Sequence, residues 1–310
     1  MVAELNTLGT SEAYERENGR IRRRIDRFRR AGMFGNGSSV TIERATTADD
    51  LIEAYRLVHD VFVQRNYILP QTGGMRIRPV EALPEMATFI ARAEGKIVAV
   101  MSIVPDTAEF GLPSDKAFQK ELDSLRAQGR KVAEITNLAV DPSYRNGAIF
   151  LELTRVILAH GLTMGYDDGF VSISEEHGIF FESVLGFEPF GERRNYGDET
   201  EDYVVGMRLN GREHETQLRR MDDALGDGAF LHDWFYARNP YFALAEQWQE
   251  SATREFLKPA LLGRLFADES RFIERCDDSV LAGLRQYWGP WLLDVVVSQW
   301  VPEPETLVAA

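Results

Sequence analysis

Apolar and polar residues alternate along SVTIERA, Ser39 to Ala45, and the period then changes. Alternation at period two predicts a half-buried strand. Thr47 to Asp50 follows as an S/T-x-x-D helix start. Leu51, Tyr55, Val58 and Phe62 then recur at i, i+4, i+7 and i+11, which places them on one stripe of a helix running to about Arg65. The stretch YILPQTGGMRIRPVEALPE holds three prolines, two glycines and no sustained period, so it predicts a long loop that covers part of the molecule. Ala87 to Ala93 and Lys96 to Val104 flank the pair Glu94-Gly95 and predict a tight hairpin.

Residues 114 to 130 predict a helix with Ser114 as N-cap and Gly129 as its stop. KVAEITNLAVD, Lys131 to Asp141, is a β-rich run ended by Pro142, and residues 143 to 164 form a helix that is apolar nearly all round. A strand is expected at 169–174, a short helix at 179–185 and further strands near 187–192 and 203–209. The order predicts an α/β fold whose sheet ends near residue 210. From Glu213 onward the chain reads as helical and holds all five tryptophans, Trp234, Trp248, Trp288, Trp291 and Trp300. Core packing or a subunit interface is their expected use, with an apolar ligand as the alternative. There is no internal repeat. Three parts are expected: a basic helix with a Gly/Ser linker over 1–38, a core over 39–210, and a helical Trp-rich extension over 211–310.

Charge changes this picture at one end only. The net charge of −14 disfavours nucleic-acid binding, yet residues 20 to 30, RIRRRIDRFRR, hold seven arginines against one aspartate. Residues 1–38 carry +3, with eight basic and five acidic residues, and the remainder carries −17. Ile21, Ile25 and Phe28 recur at helical spacing within the basic segment, so Arg20 to Arg30 form an amphipathic cationic helix. It can dock on an acidic partner, on anionic lipid at a membrane surface, or on the acidic body of its own chain or a second copy. No apolar run approaches the roughly 18 to 20 residues of a membrane span. The lone cysteine, Cys276, excludes an intramolecular disulfide and reads as a buried helix residue. A cytoplasmic protein is expected. His59, His160 and His177 lie apart from each other without metal-ligand spacing, so no metal is expected, and GxSxG, Walker and GxGxxG motifs are absent.

Chemistry concentrates in one unit, Glu134 to Ile149, where a strand runs into a tight turn and then a helix. A helix N-terminus presents unpaired N–H groups and the positive end of its dipole, which suit the phosphate of coenzyme A or of a carrier protein's phosphopantetheine arm. Gly147 and Ala148 allow close backbone approach, Arg145 adds a cation, and Asn146 completes the turn. The strand backbone of Asn137, Leu138, Ala139 and Val140 can pair with the amides of an extended pantetheine arm.

Leu138-Ala139-Val140-Asp141-Pro142-Ser143-Tyr144-Arg145 resembles the LAVxPxYR signature of the GNAT superfamily. The resemblance implies a mixed, mostly antiparallel central sheet with flanking helices. It is imperfect: Ala148 and Phe150 stand where two glycines are expected. Phe180 to Phe187 resembles the superfamily's FYExxGF element with one extra residue, and Phe181 or Glu182 replaces its tyrosine, often the general acid. A narrower resemblance over about 42–196 is to the N-acyl amino acid synthases of the FeeM type and, more remotely, to autoinducer synthases. Tyr55 to Arg65, the insertion from Leu112 to Arg130, and the strand Ala133 to Val140 carry it. Autoinducer synthases have arginines where this chain has Asn137 and Val58, which argues against lactone synthesis from S-adenosylmethionine.

These resemblances imply an N-acyltransferase that moves a long-chain acyl group from an acyl carrier protein or acyl-CoA thioester to an amino acid or similar small amine. Amine acylation needs a base, and Glu134, at the centre of its strand, is the candidate; a structural carboxylate paired with arginine is the alternative. Arg56, Phe62 and Ser174 are expected to contact substrate. Two other functions remain open: an acetyl-CoA-dependent acetyltransferase, and a non-catalytic acyl-binding scaffold whose C-terminal helices drive homo-oligomer formation.

Overall fold

The computed structural model describes residues 2–35, 40–145, 147–196, 203–226 and 228–300. Residues 36–39 of the expected linker and Asn146 of the expected phosphate turn lie outside them.

Seven strands form one sheet in the order β1-β2-β3-β4-β5-β7-β6: β1 Val40–Arg44, β2 Ala87–Ala93, β3 Lys96–Pro105, β4 Val132–Val140, β5 Asp168–Ile173, β6 Glu188–Asn195 and β7 Tyr203–Asn210. Every neighbouring pair is antiparallel except β4 and β5. This is the expected mixed, mostly antiparallel sheet. The β2–β3 hairpin turns on Glu94 (φ 49°) and Gly95 (φ 81°), the two left-handed residues that a short hairpin with right-handed strand twist requires.

Helix α1 is Val2–Arg30, α2 Ala48–Gln64, α3 Asp115–Arg126, α4 Ala148–Thr163, α5 Gly178–Leu185, α6 His214–Leu225, α7 Phe242–Phe256, α8 Pro259–Leu262, α9 Asp278–Trp288 and α10 Pro290–Trp300. The Thr47 hydroxyl caps α2 by accepting from the Asp50 N–H at 3.1 Å, as its sequence predicts. At α3 the N-cap residue is the expected one, Ser114, without the side-chain bond; its hydroxyl pairs with Ser172 instead. Helix α4 is apolar all round because it is covered all round, by the sheet on one side and by α7 on the other. As the crossover between two parallel strands, it fixes where β4 ends and β5 begins.

The C-terminal helices pack on the face of α2. Leu262, Phe266, Trp288 and Val296 share one core with Tyr55 and Val58. The Trp288 indole N–H donates to the Ala82 carbonyl at 2.8 Å, so this layer is tied to the loop between α2 and β2. Trp248 packs against Phe89, whereas Trp291 is 69% exposed. Cys276 is half-buried beyond a short 3₁₀ turn, Ile273–Arg275, and is not inside a helix as expected. Helix α1 docks on its own chain: Ile25 is buried, Ile21 and Phe28 are half-buried, and all three join a core with α5 and α6. Among the described residues no helix is long and apolar enough to cross a membrane.

Candidate active site

Strands β4 and β5 pair only over Val132–Glu134 and Asp168–Phe170. Beyond Glu134 they diverge, and a cavity of about 510 Å³ opens between them, lined by Ile135, Thr136 and Asn137 from β4 and by Val171, Ser172 and Ile173 from β5. A bulge in β4 contributes to the divergence. Val100 pairs with Ala139 and Ser102 with Thr136, so β4 carries one residue more than β3 across this interval. The extra turn of backbone falls at Asn137, whose φ is 55°. Asparagine is among the few residues that occupy this left-handed region readily.

Glu134 sits where the strands part. It is 2% exposed, and its Oε2 accepts from the Ser114 N–H at 2.8 Å. Burial pushes its carboxyl up to about 7, against the opposing pull of Ser114 and of Arg78 and Arg76. Tyr196 and Lys116 share this part of the lining, with the Lys116 ammonium 4.0 Å from the centre of the Tyr196 ring. Burial and the Glu134 charge raise the Tyr196 hydroxyl to about 12.

The loop between α2 and β2 delivers two arginines to the bulge. Arg78 pairs with the fully buried carboxylate of Glu81, its Nη2 2.5 Å from Oε1. Arg76 has no such partner among the described residues. Its Nη1 donates to Asn137 Oδ1 at 2.9 Å, and its guanidinium lies 5.1 Å from the centre of the Phe62 ring. Asn137 also donates to Glu81 Oε1 at 3.1 Å, which closes the network. Burial and the like charge of Arg78 lower Arg76 to about 10, so it stays a cation at neutral pH. Arg76 lines the cavity and Arg78 does not.

Of the residues expected from sequence, Glu134, Asn137, Leu138, Val140, Arg145, Gly147, Phe62 and Ser174 all line this one cavity. Ala139 and Ala148 do not: the Ala139 side chain joins the core under α2. Arg56 requires correction. It is on the far side of α2 from Val61, Phe62 and Arg65, the α2 residues that line the cavity, and it pairs with Glu269 at 2.7 Å on the surface. Five residues at 100° each separate Arg56 from Val61 by well over a third of a turn, which explains the difference. Sequence reasoning missed Arg76, Lys116 and Tyr196. The R-x-R pair in an aperiodic loop was the available signal for Arg76; Lys116 and Tyr196 had none. His177 also lines the cavity, whereas His59 accepts from the Gln71 N–H at 3.0 Å and His160 is buried in the core.

The turn that precedes α4 has its described residues at the mouth of this cavity. Gly147 has φ 82° and caps α4, and the Arg145 Nε donates to the Val140 carbonyl at 3.1 Å. Apolar side chains of α4 and α5, among them Ile149, Phe150, Ile157, Phe181 and Leu185, line the same cavity. It thus combines a helix N-terminus, an open strand edge, an apolar wall, a carboxyl that titrates near neutrality and a buried cation.

A family model described as N-acyl amino acid synthase FeeM matches residues 53–210, just over half of the chain. Among solved structures, FeeM, an N-acyl amino acid synthase from uncultured soil microbes, is similar with a TM-score of 0.50 and 24% identity, over 57% of this chain and 93% of that one. The AHL synthase LasI gives 0.44 and 15%, over 64% and 94%. A putative N-acetyltransferase from Lactobacillus plantarum gives 0.40 and 13%, over 55% and 97%. A search of curated proteins finds no match.

Proposed function

Since the chain belongs to the FeeM N-acyl amino acid synthase family and is an N-acyltransferase, we propose that it transfers a long-chain acyl group from a phosphopantetheine thioester to the amine of an amino acid, with Glu134 as the base. The observation that carries this reading is the placement of Glu134 and Arg76 in one cavity with an apolar wall. The donor enters with its phosphate at the Gly147 turn and its amides along the unpaired edge of β4, and the acyl chain lies on the side chains of α4 and α5.

Arg76 supports an amino acid as the acceptor. A buried guanidinium without a carboxylate of its own is matched by the carboxylate of an amino acid, in a charge-assisted pairing. The bound acceptor arrives as an ammonium. Glu134, ionised above about pH 7, takes one proton and frees the nitrogen lone pair. Nitrogen then attacks the thioester carbonyl carbon, the C–N bond forms, and the carbonyl oxygen's charge is met by β4 backbone N–H groups. Collapse breaks the C–S bond. The second amine proton passes to the departing thiolate, and Glu134 releases its own to solvent, which leaves an amide, a thiol and one proton.

The test is direct: purified protein with a palmitoyl thioester and single amino acids, with products identified by mass spectrometry. N-acyl amino acid is expected. Acetyl transfer with no long-chain product would replace this reading with short-chain acetylation, and no product from any thioester would leave an acyl-binding role.

A further inference from the structure

Helix α1 precedes the family-matched segment, takes no part in the reaction above, and leads to the donor turn. Phe28 packs edge-on against Phe180 of α5 with ring centres 5.0 Å apart, and Arg24 donates to Ser183 on the same helix at 3.1 Å. The chain then turns at Gly32 and lays Met33 over the cap of α4, where a methyl group added to Gly147 would meet Met33 Cε at 2.5 Å. The N-terminal segment therefore borders the place where a donor's phosphate would sit.

Its two faces differ. Ile21, Ile25 and Phe28 face the body of the chain, while Arg20, Arg23, Arg27 and Arg30 recur at i, i+3, i+7 and i+10 and lie on the opposite, exposed side. Arg23 and Arg27 make no ion pair among the described residues, and Arg30 donates only to the backbone carbonyl of Asp26. Packing against the body uses the apolar stripe and leaves this cationic stripe facing outward.

We propose that the outward arginine stripe of α1 is the docking surface for an acidic carrier protein that delivers the acyl group on its phosphopantetheine arm, an inference that rests on the thioester reading of the cavity. A free cofactor is held by the cavity alone. A carrier domain stays outside while its arm threads inward, so it needs a surface beside the entrance, and α1 lies beside the donor turn. Charge gives the second reason. A chain of net charge −14 repels an acidic partner at long range, and a segregated cationic stripe at the entrance reverses the sign locally.

The experiment uses the full chain carrying Arg23→Glu, Arg27→Glu and Arg30→Glu together, none of which touches the cavity. Palmitoylated acyl carrier protein and palmitoyl-pantetheine serve as alternative donors. Rim charges act on encounter, so KM for the carrier protein should rise about tenfold or more with kcat unchanged, and its salt dependence should flatten. KM for palmitoyl-pantetheine should stay as in the parent. An unchanged carrier KM would overturn the proposal, as would an equal loss with both donors, which would indicate damage to the fold. Loss of binding to anionic phosphatidylserine vesicles with carrier kinetics intact would assign the stripe to a membrane. Carrier binding, measured by titration, that the substitutions abolish in a protein without turnover would sustain the docking surface and overturn the transfer reading instead.

Discussion

Asn137 Oδ1 accepts a hydrogen bond from Arg76 Nη1 at 2.9 Å, and with the bonds of Asn137 to Arg78 and Glu81 this contact joins the bulge of β4 to the loop between α2 and β2. The two segments are 61 residues apart in sequence. In the proposed reaction one provides the open strand edge for the donor, and the other the cation for the acceptor. Replacement of Asn137 tests the join. Asn137→Leu should destabilise the fold by about 3 kcal/mol, because a side chain without local hydrogen-bonding capacity in the left-handed region adds strain and the buried groups of Arg76, Glu81 and Ser102 lose their partner. Asn137→Gly should cost less, since its backbone accepts φ 55°. Urea unfolding of both variants checks the order.

Glu134→Gln should lower turnover by about 10² to 10⁴ while donor KM changes little, the usual effect of removing a general base. The pH profile adds a sharper sign. With the Glu134 carboxyl at about 7, kcat/KM of the parent should rise with pH below that value and level above it. The glutamine variant should lose that limb of the profile. Steady-state kinetics from pH 5 to about 9 would show it.

The same carboxyl affects stability in the opposite direction. Its folded-state value is raised from 4.5 to about 7, so the folded chain binds the proton more tightly than the unfolded chain. The protonated form's stability is present below pH 4.5 and is lost as pH rises through about 7. Glu134→Gln should therefore be more stable than the parent at pH 8, by about 3 kcal/mol, with the gain vanishing near pH 4. Thermal melts at the two pH values are the measurement.

Arg76→Leu should raise acceptor KM by about 30- to 100-fold, the loss expected of one charge-assisted pairing, with donor KM unchanged. An amino acid methyl ester should bind parent and variant alike, since it offers Arg76 no anion. Arg76→Lys should recover part of the effect.

Gly147→Ala should raise donor KM and lower stability, because the new methyl group meets Met33 Cε at 2.5 Å and the backbone holds φ 82°. Met33→Ala in the same chain should restore part of the loss. The remainder, about 1 kcal/mol, is the backbone term that no neighbour can relieve.

Period and punctuation made most of the sheet legible. The strand at Ser39 to Ala45 appears as β1, the Glu94-Gly95 pair turns the hairpin, and the apolar run 143–164 contains α4 behind a short 3₁₀ turn, Pro142–Tyr144. Glu134 and Gly147 were visible because strand, turn and helix are adjacent in sequence. Arg76, Lys116 and Tyr196 were not, because each reaches the cavity from a separate segment and only the tertiary arrangement brings them together. Arg56 misled for a simple reason. It stands in the Tyr55 to Arg65 stretch that carries the family resemblance, but the helical repeat turns it outward, to Glu269.

The bond from Trp288 to the Ala82 carbonyl gives the outermost helices a hold on the loop that carries Arg76 and Arg78. The arginine loop is gripped from outside by a layer that begins after the family-matched segment ends at residue 210. A substitution in that layer can shift the loop without altering any residue that lines the cavity.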